Sequence, residues 1–307
     1  MSFSIEFQKG CEPNRRSHLS NGLTFSRHPK PKSPISKAFI LNKPSIMSDI
    51  SLAIGANNEQ NLVPNPIIKV KIVAYLAAGN LWDYWLAIHP FFGKVVIKAI
   101  YLLAYPCENP NYDNYVPSGK VEVNMLKEEK FYLGPLLELQ GKVVPKYYGS
   151  YCTGGNGHYM IMMLEYVGRS MGFGILRLND NTKVKLYEAY KQLHIQGVSH
   201  HDICGRHILI DDMGGIRLVG FRYAYQRKLH IPDQVRDLIS EDWVVKARTG
   251  MESDDANSLT SAHPEYWAKL KDPTAFYHQL VEDEIYRRKV YHLPPLINIP
   301  PMPPLLK

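Results

Sequence analysis

Between residues 198 and 224 the chain reads VSHHDICGRHILIDDMGGIRLVGFRYA, and this stretch constrains the fold more than any other. Two short apolar runs, ILI and IRLV, flank an acidic, glycine-containing turn, the pattern of a small hairpin. A polar loop, His200-His201-Asp202, stands before the hairpin, and Gly220-Phe221-Arg222 stands after it.

The remaining punctuation places strands and helices around that stretch. Residues 67–75 (IKVKIVAYL) and 81–89 (LWDYWLAIH) are rich in β-branched and aromatic residues, with a turn at Ala77-Ala78-Gly79-Asn80. Residues 94–103 (KVVIKAIYLL) make a third strand, and a polar loop follows. Residues 121–140 carry apolar side chains at helical spacing through Met125, Phe131, Leu133 and Leu137, with Pro135 set to disturb the end. Residues 143–152 and 159–167 read as a strand pair around a glycine cluster. A strand follows those glycines, so no helix N-terminus is there to meet a phosphate, and they read as a hairpin turn. Helical patterning resumes at 182–197, with Val184, Leu186, Tyr187, Tyr190 and Leu193 on the buried face and Gly197 as the stop.

At 307 residues the chain can hold one two-lobed domain of about 240 residues plus tails. Its net charge of +7 is partly local, because residues 8–43 contain eight Lys or Arg against a single acid, Glu12. No aromatic-basic stripe accompanies that charge, so it reads as a solvated basic tail and no nucleic-acid partner is expected. The four cysteines are scattered, with no C-x-x-C pair, which points to an intracellular compartment, cytoplasmic or nuclear. No signal-peptide pattern opens the sequence, and the longest apolar run, 95–105, is too short to span a bilayer. No membrane association is expected.

Taken together, the order hairpin, Lys strand, helix, two strands, helix, acidic loop and hairpin resembles the protein kinase superfamily, in particular short, divergent kinase-like proteins abundant in fungi. The run LLELQGKVVPKYYGSY suggests that subgroup, and the resemblance covers residues 67–225. It implies an α+β, two-lobed kinase-like fold with a five-stranded N-lobe (65–168) and a reduced helical C-lobe (169–292). Outside these lie a disordered basic tail (1–64) and a Pro-rich tail (293–307). By the same resemblance ATP is the candidate cofactor. Lys98, in Val95-Val96-Ile97-Lys98, would meet its phosphates with Glu129 as ion-pair partner. Gly79 would lie in the phosphate-covering loop, Glu165 and Val167 in the adenine-facing hinge, and Asp202 would be the catalytic base.

The departures from the family pattern decide the functional expectation. The glycine-rich loop offers only Ala77, Gly79 and Trp82, whose indole would cover or obstruct the phosphates. His207 stands where an Asn would bind the second magnesium, and Gly220 where an Asp would hold the bridging one. Magnesium wants oxygen ligands in octahedral geometry and is poorly served by imidazole. Losing one preorganised charge contact typically costs about 3–4 kcal/mol of transition-state stabilisation. Magnesium is therefore disfavoured, no metal ligand is assigned, and the expectation is a pseudokinase acting through a protein partner. The alternative is a divergent ATP-dependent phosphotransferase acting on protein or small-molecule hydroxyls; a separate reading has the Arg222 guanidinium replace metal charge near the phosphates, with nucleotide bound independently of metal and Asp202 still the base.

Two further features stand outside the kinase-like pattern. His194, His200, His201, Cys204 and His207 lie within fourteen residues, a grouping reminiscent of zinc sites. On a kinase-type loop these side chains would diverge and Cys204 would be buried, so the zinc reading is set aside. The terminal LPPLINIPPMPPLLK reads as a tail, extended or packed on its own domain, with a docking peptide as its functional alternative.

Overall fold

The computed structural model describes residues 2–9, 11, 19–20, 22–27, 67–79, 82–102, 118–153, 159–172, 178–249 and 272–290. The chain divides into two compact units, residues 1–106 with 150–161, and residues 107–149 with 162–307.

Most of the first unit belongs to a closed sheet, two of whose strands, at 147–153 and 159–165, run on into the second unit. The strands of this sheet are β1 (Ser2–Phe7), β2 (Thr24–Arg27), β3 (Ile68–Ala78), β4 (Asp83–His89), β5 (Gly93–Tyr101), β6 (Tyr147–Thr153) and β7 (Tyr159–Glu165). They close into a barrel in the order β1-β2-β6-β7-β5-β4-β3. Alternation in SFSIEF turns Phe3 and Ile5 inward, and both are fully buried with Phe25 of β2. Phe3 stacks on Phe25 at 5.4 Å and meets Tyr151 edge-on at 4.9 Å. Trp85, also fully buried, packs edge-on against Phe7 and Tyr75 at 5.5 and 4.8 Å. The joint that closes the barrel is parallel, running from Phe3↔Ile68 to Phe7↔Ile72. Closure leaves no unpaired edge, and two register irregularities in β3 help it to curl.

This overturns the expected architecture. Strands and helices are both present, but the two-lobed kinase-like fold with a five-stranded N-lobe is not what forms. A seven-stranded barrel stands in its place, and its two extra strands come from the segment 1–64 expected to be disordered. Their partners explain the miss. Phe3 pairs with a residue 65 positions later (68 − 3), which no local window can see. Residues 1, 10, 12–18, 21 and 28–64 of that segment lie outside the described residues, as do the glycine cluster at 154–158, the acidic linker at 251–261 and the Pro-rich tail.

In the second unit are the four helices of the described residues: α1 (Ser118–Leu133), α2 (Asp180–Ile195), α3 (Pro232–Thr249) and α4 (Pro273–Val290). Short strands β8 (Arg169–Ser170), β9 (Val198–Ser199), β10 (Ile208–Ile210), β11 (Ile216–Leu218) and β12 (Tyr225–Gln226) lie between α2 and α3, apart from β8, which precedes α2. Helix α1 stops at Leu133, just ahead of Gly134-Pro135, and the chain continues as a 3-10 turn at Leu137–Leu139. Asn179 caps α2 by accepting from the Thr182 amide at 2.9 Å. Its buried face carries Leu186, Ala189, Tyr190, Leu193 and His194, whereas Val184, expected there, is 55 % exposed. Gly197 ends it with φ +70°, where a Cβ would stand 2.5 Å from the Arg227 carbonyl oxygen. Val235, Leu238 and Ile239 of α3 pack with Phe276, Tyr277 and Val281 of α4. Among the described residues, no helix is long and apolar enough to cross a membrane.

Candidate functional site

The loop at 200–207 is held from three sides. Strand β9 leads into it and pairs with β12 through Tyr225↔Ser199 and Gln226↔Val198. Beyond it, β10 and β11 form the expected hairpin, closed by the Asp211 carboxylate, which accepts from the Met213 and Gly215 amides. The hairpin is fixed by the Leu218 amide donating to the Val143 carbonyl at 2.7 Å. Phe221 is fully buried, 4.9 Å from the His200 ring and 5.7 Å from Tyr132 of α1, which anchors the segment after the hairpin.

The third support is Glu241 of α3. Its carboxylate accepts from the His200 amide at 2.7 Å and the His201 amide at 3.2 Å, and lies 3.3 Å from His194 Nε2. Burial would raise its pKa, but the hydrogen bond with His194 and that from the His200 amide outweigh burial and bring it to about 2. This clamp holds His201 at φ +60°, the one positive φ among the described non-glycine residues. His200 is wholly buried and spends both ring nitrogens on backbone. Nδ1 accepts from the Asp202 amide at 3.2 Å, so Nε2 carries the proton and donates to the Val219 carbonyl at 2.9 Å. Burial, then the neighbouring His207 charge, lowers its pKa to about 4.

Beyond this buried histidine lies the chemically loaded part of the loop. The Asp202 carboxylate accepts from the Cys204 thiol at 3.2 Å and from the Arg206 guanidinium at 3.2 and 3.3 Å. It forms an ion pair with His207 Nδ1 at 3.3 Å, and both side chains are less than one-fifth exposed. His207 Nδ1 also lies 3.2 Å from Cys204 Sγ and 3.1 Å from the Asp202 carbonyl oxygen. Burial opposes both charges, yet the mutual hydrogen bond prevails. His207 is raised to about 9 and Asp202 is held well below the usual carboxylate range. The imidazole ring lies over Gly220, which adopts φ +88°. A Cβ at 220 would stand 2.6 Å from His207 Cδ2 and 2.8 Å from Nε2. The ring at 207 and the missing side chain at 220 are therefore sterically linked.

The sequence-assigned residues are distributed over both units. Asp202, His207 and Gly220 come together in the second. There Cys204, expected to be buried and turned away, is instead partly exposed and faces Asp202 and His207. Glu129 accepts a hydrogen bond from the Tyr147 hydroxyl. Glu165 accepts from the Lys146 amide at 3.1 Å, and Val167 follows it in the link to β8. Arg222 is drawn aside, its guanidinium 4.3 Å from the centre of the Tyr223 ring and donating to that hydroxyl. In the first unit, Lys98 is buried with its ammonium 5.1 Å from the centre of the Trp82 indole, so Trp82 covers this lysine. Gly79 makes a tight turn, its amide donating to the Trp82 carbonyl at 2.7 Å.

Glu241 was missed, although a signal was present. Leu238, Glu241, Asp242 and Val245 recur at helical spacing, which puts two acids on the apolar face of α3, and all four are buried. No protein-family model matches the chain, and no curated protein matches it either.

Proposed function

We propose that this chain is a kinase-like protein impaired in magnesium-dependent phosphoryl transfer, which acts by binding a protein partner. The observation that carries this reading is the packing of His207 on Gly220. An Asn at the first position and an Asp at the second would supply the oxygen ligands that a magnesium–nucleotide complex requires. Here a ring fills the space that a side chain at 220 would occupy. The acid kept at the catalytic-base position, Asp202, is engaged by His207, Cys204 and Arg206. A carboxylate stabilised in this way is a weak proton acceptor and a poor general base. Burial of Lys98 beneath Trp82 leaves the phosphate-binding lysine covered, which supports the same reading. An intracellular setting agrees with the free thiols of Cys11, Cys152 and Cys204.

Thermal shift with ATP, with and without magnesium, tests the proposal. Either no shift or one indifferent to magnesium is expected, with no phosphate transferred to a general acceptor protein. A magnesium-dependent shift with turnover that Asp202→Asn abolishes would assign the chain to the phosphotransferases instead.

A further inference from the structure

Asp202, Cys204 and His207 place three metal-ligating atoms of different kinds at one point of the loop. Cys204 Sγ lies 3.2 Å from His207 Nδ1 and 3.2 Å from Asp202 Oδ1, and Asp202 Oδ2 lies 3.3 Å from His207 Nδ1. A tetrahedral zinc with bonds of about 2.3 Å to sulfur and about 2.0–2.2 Å to nitrogen and oxygen spaces its ligands about 3.3–3.6 Å apart. Each of these three contacts is within a few tenths of an ångström of that spacing, the two to Asp202 being made through different oxygens of its carboxylate, and one donor atom of each residue lies within 4.8 Å of the others.

Local backbone structure explains why the sequence produces it. Residues 205–207 form a 3-10 turn with Cys204 as the residue before it. In that geometry side chains three apart eclipse, so Cys204 and His207 share one side of the turn. The Cys204 amide donates to the Asp202 carbonyl at 3.0 Å and the His207 amide to the Cys204 carbonyl at 2.9 Å, which fixes the D-x-C-x-x-H spacing. Glu241 and Val219 hold His200, and the His200 ring accepts from the Asp202 amide, so the first ligand stands on a buried support.

We infer that Asp202, Cys204 and His207 form a binding site for a single zinc-like divalent cation, with its fourth position open to water or to a donor atom of a partner. The ligand set decides the class of ion. One thiolate and one imidazole favour zinc or cobalt over magnesium or calcium, which prefer oxygen alone. Three protein ligands with an open position match zinc sites that keep one place for water or substrate rather than the closed, four-ligand structural ones. Arg206 now supplies positive charge beside the carboxylate, and its side chain is 58 % exposed, so it can move aside for the ion. The site does not depend on the pseudokinase reading, because the ATP experiment and a metal titration report on different ligands.

The test is titration of the metal-stripped full chain with cobalt(II), followed by optical absorption. One ion per chain should bind, giving a thiolate-to-cobalt charge-transfer band and the visible bands of a tetrahedral complex, both erased by added zinc. Cys204→Ser should remove the charge-transfer band, and His207→Gln should weaken binding by more than the roughly 10–100-fold typical of losing an outer-shell contact. Serine at Cys11, Cys107 or Cys152 should change neither. Absence of the charge-transfer band in the unmodified chain overturns the inference, whatever the variants do. So does a band that survives Cys204→Ser, or displacement of cobalt by equimolar magnesium.

Discussion

The barrel of the first unit and the histidine loop of the second are ordered by opposite means. Phe3, Phe25, Trp85 and Tyr151 fill the barrel with nearly interchangeable apolar contacts, each individually weak and none dependent on ionisation. In the loop, Glu241, His200, Asp202 and His207 each have specific partners, and two of the four carry titrating imidazoles. The contrast teaches that an apolar core is held by many equivalent contacts, whereas a polar site is specified by single hydrogen bonds that bring distant residues together.

The strongest way to break the comparison is in the barrel. Trp85→Ala should lower unfolding free energy by about 3–5 kcal/mol, with a loss that barely changes between pH 5 and 9. Denaturant melts at both ends of that range measure it. Next comes Gly220→Ala, which adds a Cβ into the His207 ring and forces a left-handed backbone on alanine. About 2–4 kcal/mol should be lost, and much of it should return in the double variant with His207→Ala. A double-mutant cycle gives that coupling directly. Smaller again is Glu241→Gln, which keeps an acceptor but not the charge that holds the His200 and His201 amides. A loss of about 1–3 kcal/mol is expected, with faster hydrogen exchange at those two amides.

The pH profile sharpens the contrast most finely. His207 has its folded pKa raised from 6.5 to about 9, so its contribution is complete below 6.5 and is lost as pH climbs towards 9. His200 is lowered from 6.5 to about 4, so the unfolded chain takes up its proton first and stability falls as pH drops from 6.5 to 4. Glu241, lowered from 4.5 to about 2, extends the acid loss below 4.5. Stability should therefore peak near pH 6.5. His207→Gln should remove the alkaline decline and leave the acid one, which melts across the pH range would reveal.

Much of the secondary structure was legible because it is local. The strand runs at 67–75, 81–89 and 94–103 and the helix at 182–197 each carry their own periodicity and turn residues, and all four appear. Strands β1 and β2 did not, since a six-residue and a four-residue strand gain meaning only from remote pairing. In the site, the resemblance to the kinase loop pattern singled out Asp202, His207 and Gly220. It could not show Cys204 turning towards them, because that depends on the 3-10 turn at 205–207. Nor could it show an acid on α3 reaching back forty-one residues to the His200 amide.

The account rests on the Asp202–His207 ion pair, which both engages the retained acid and holds the ring over Gly220. Nitrogen-resolved NMR titration of the His207 imidazole, in metal-free protein, measures that pair directly. The ring should stay doubly protonated through neutral pH and titrate near 9, with Asp202→Asn bringing it down. Titration of His207 near 6.5 in the unmodified chain would contradict the account.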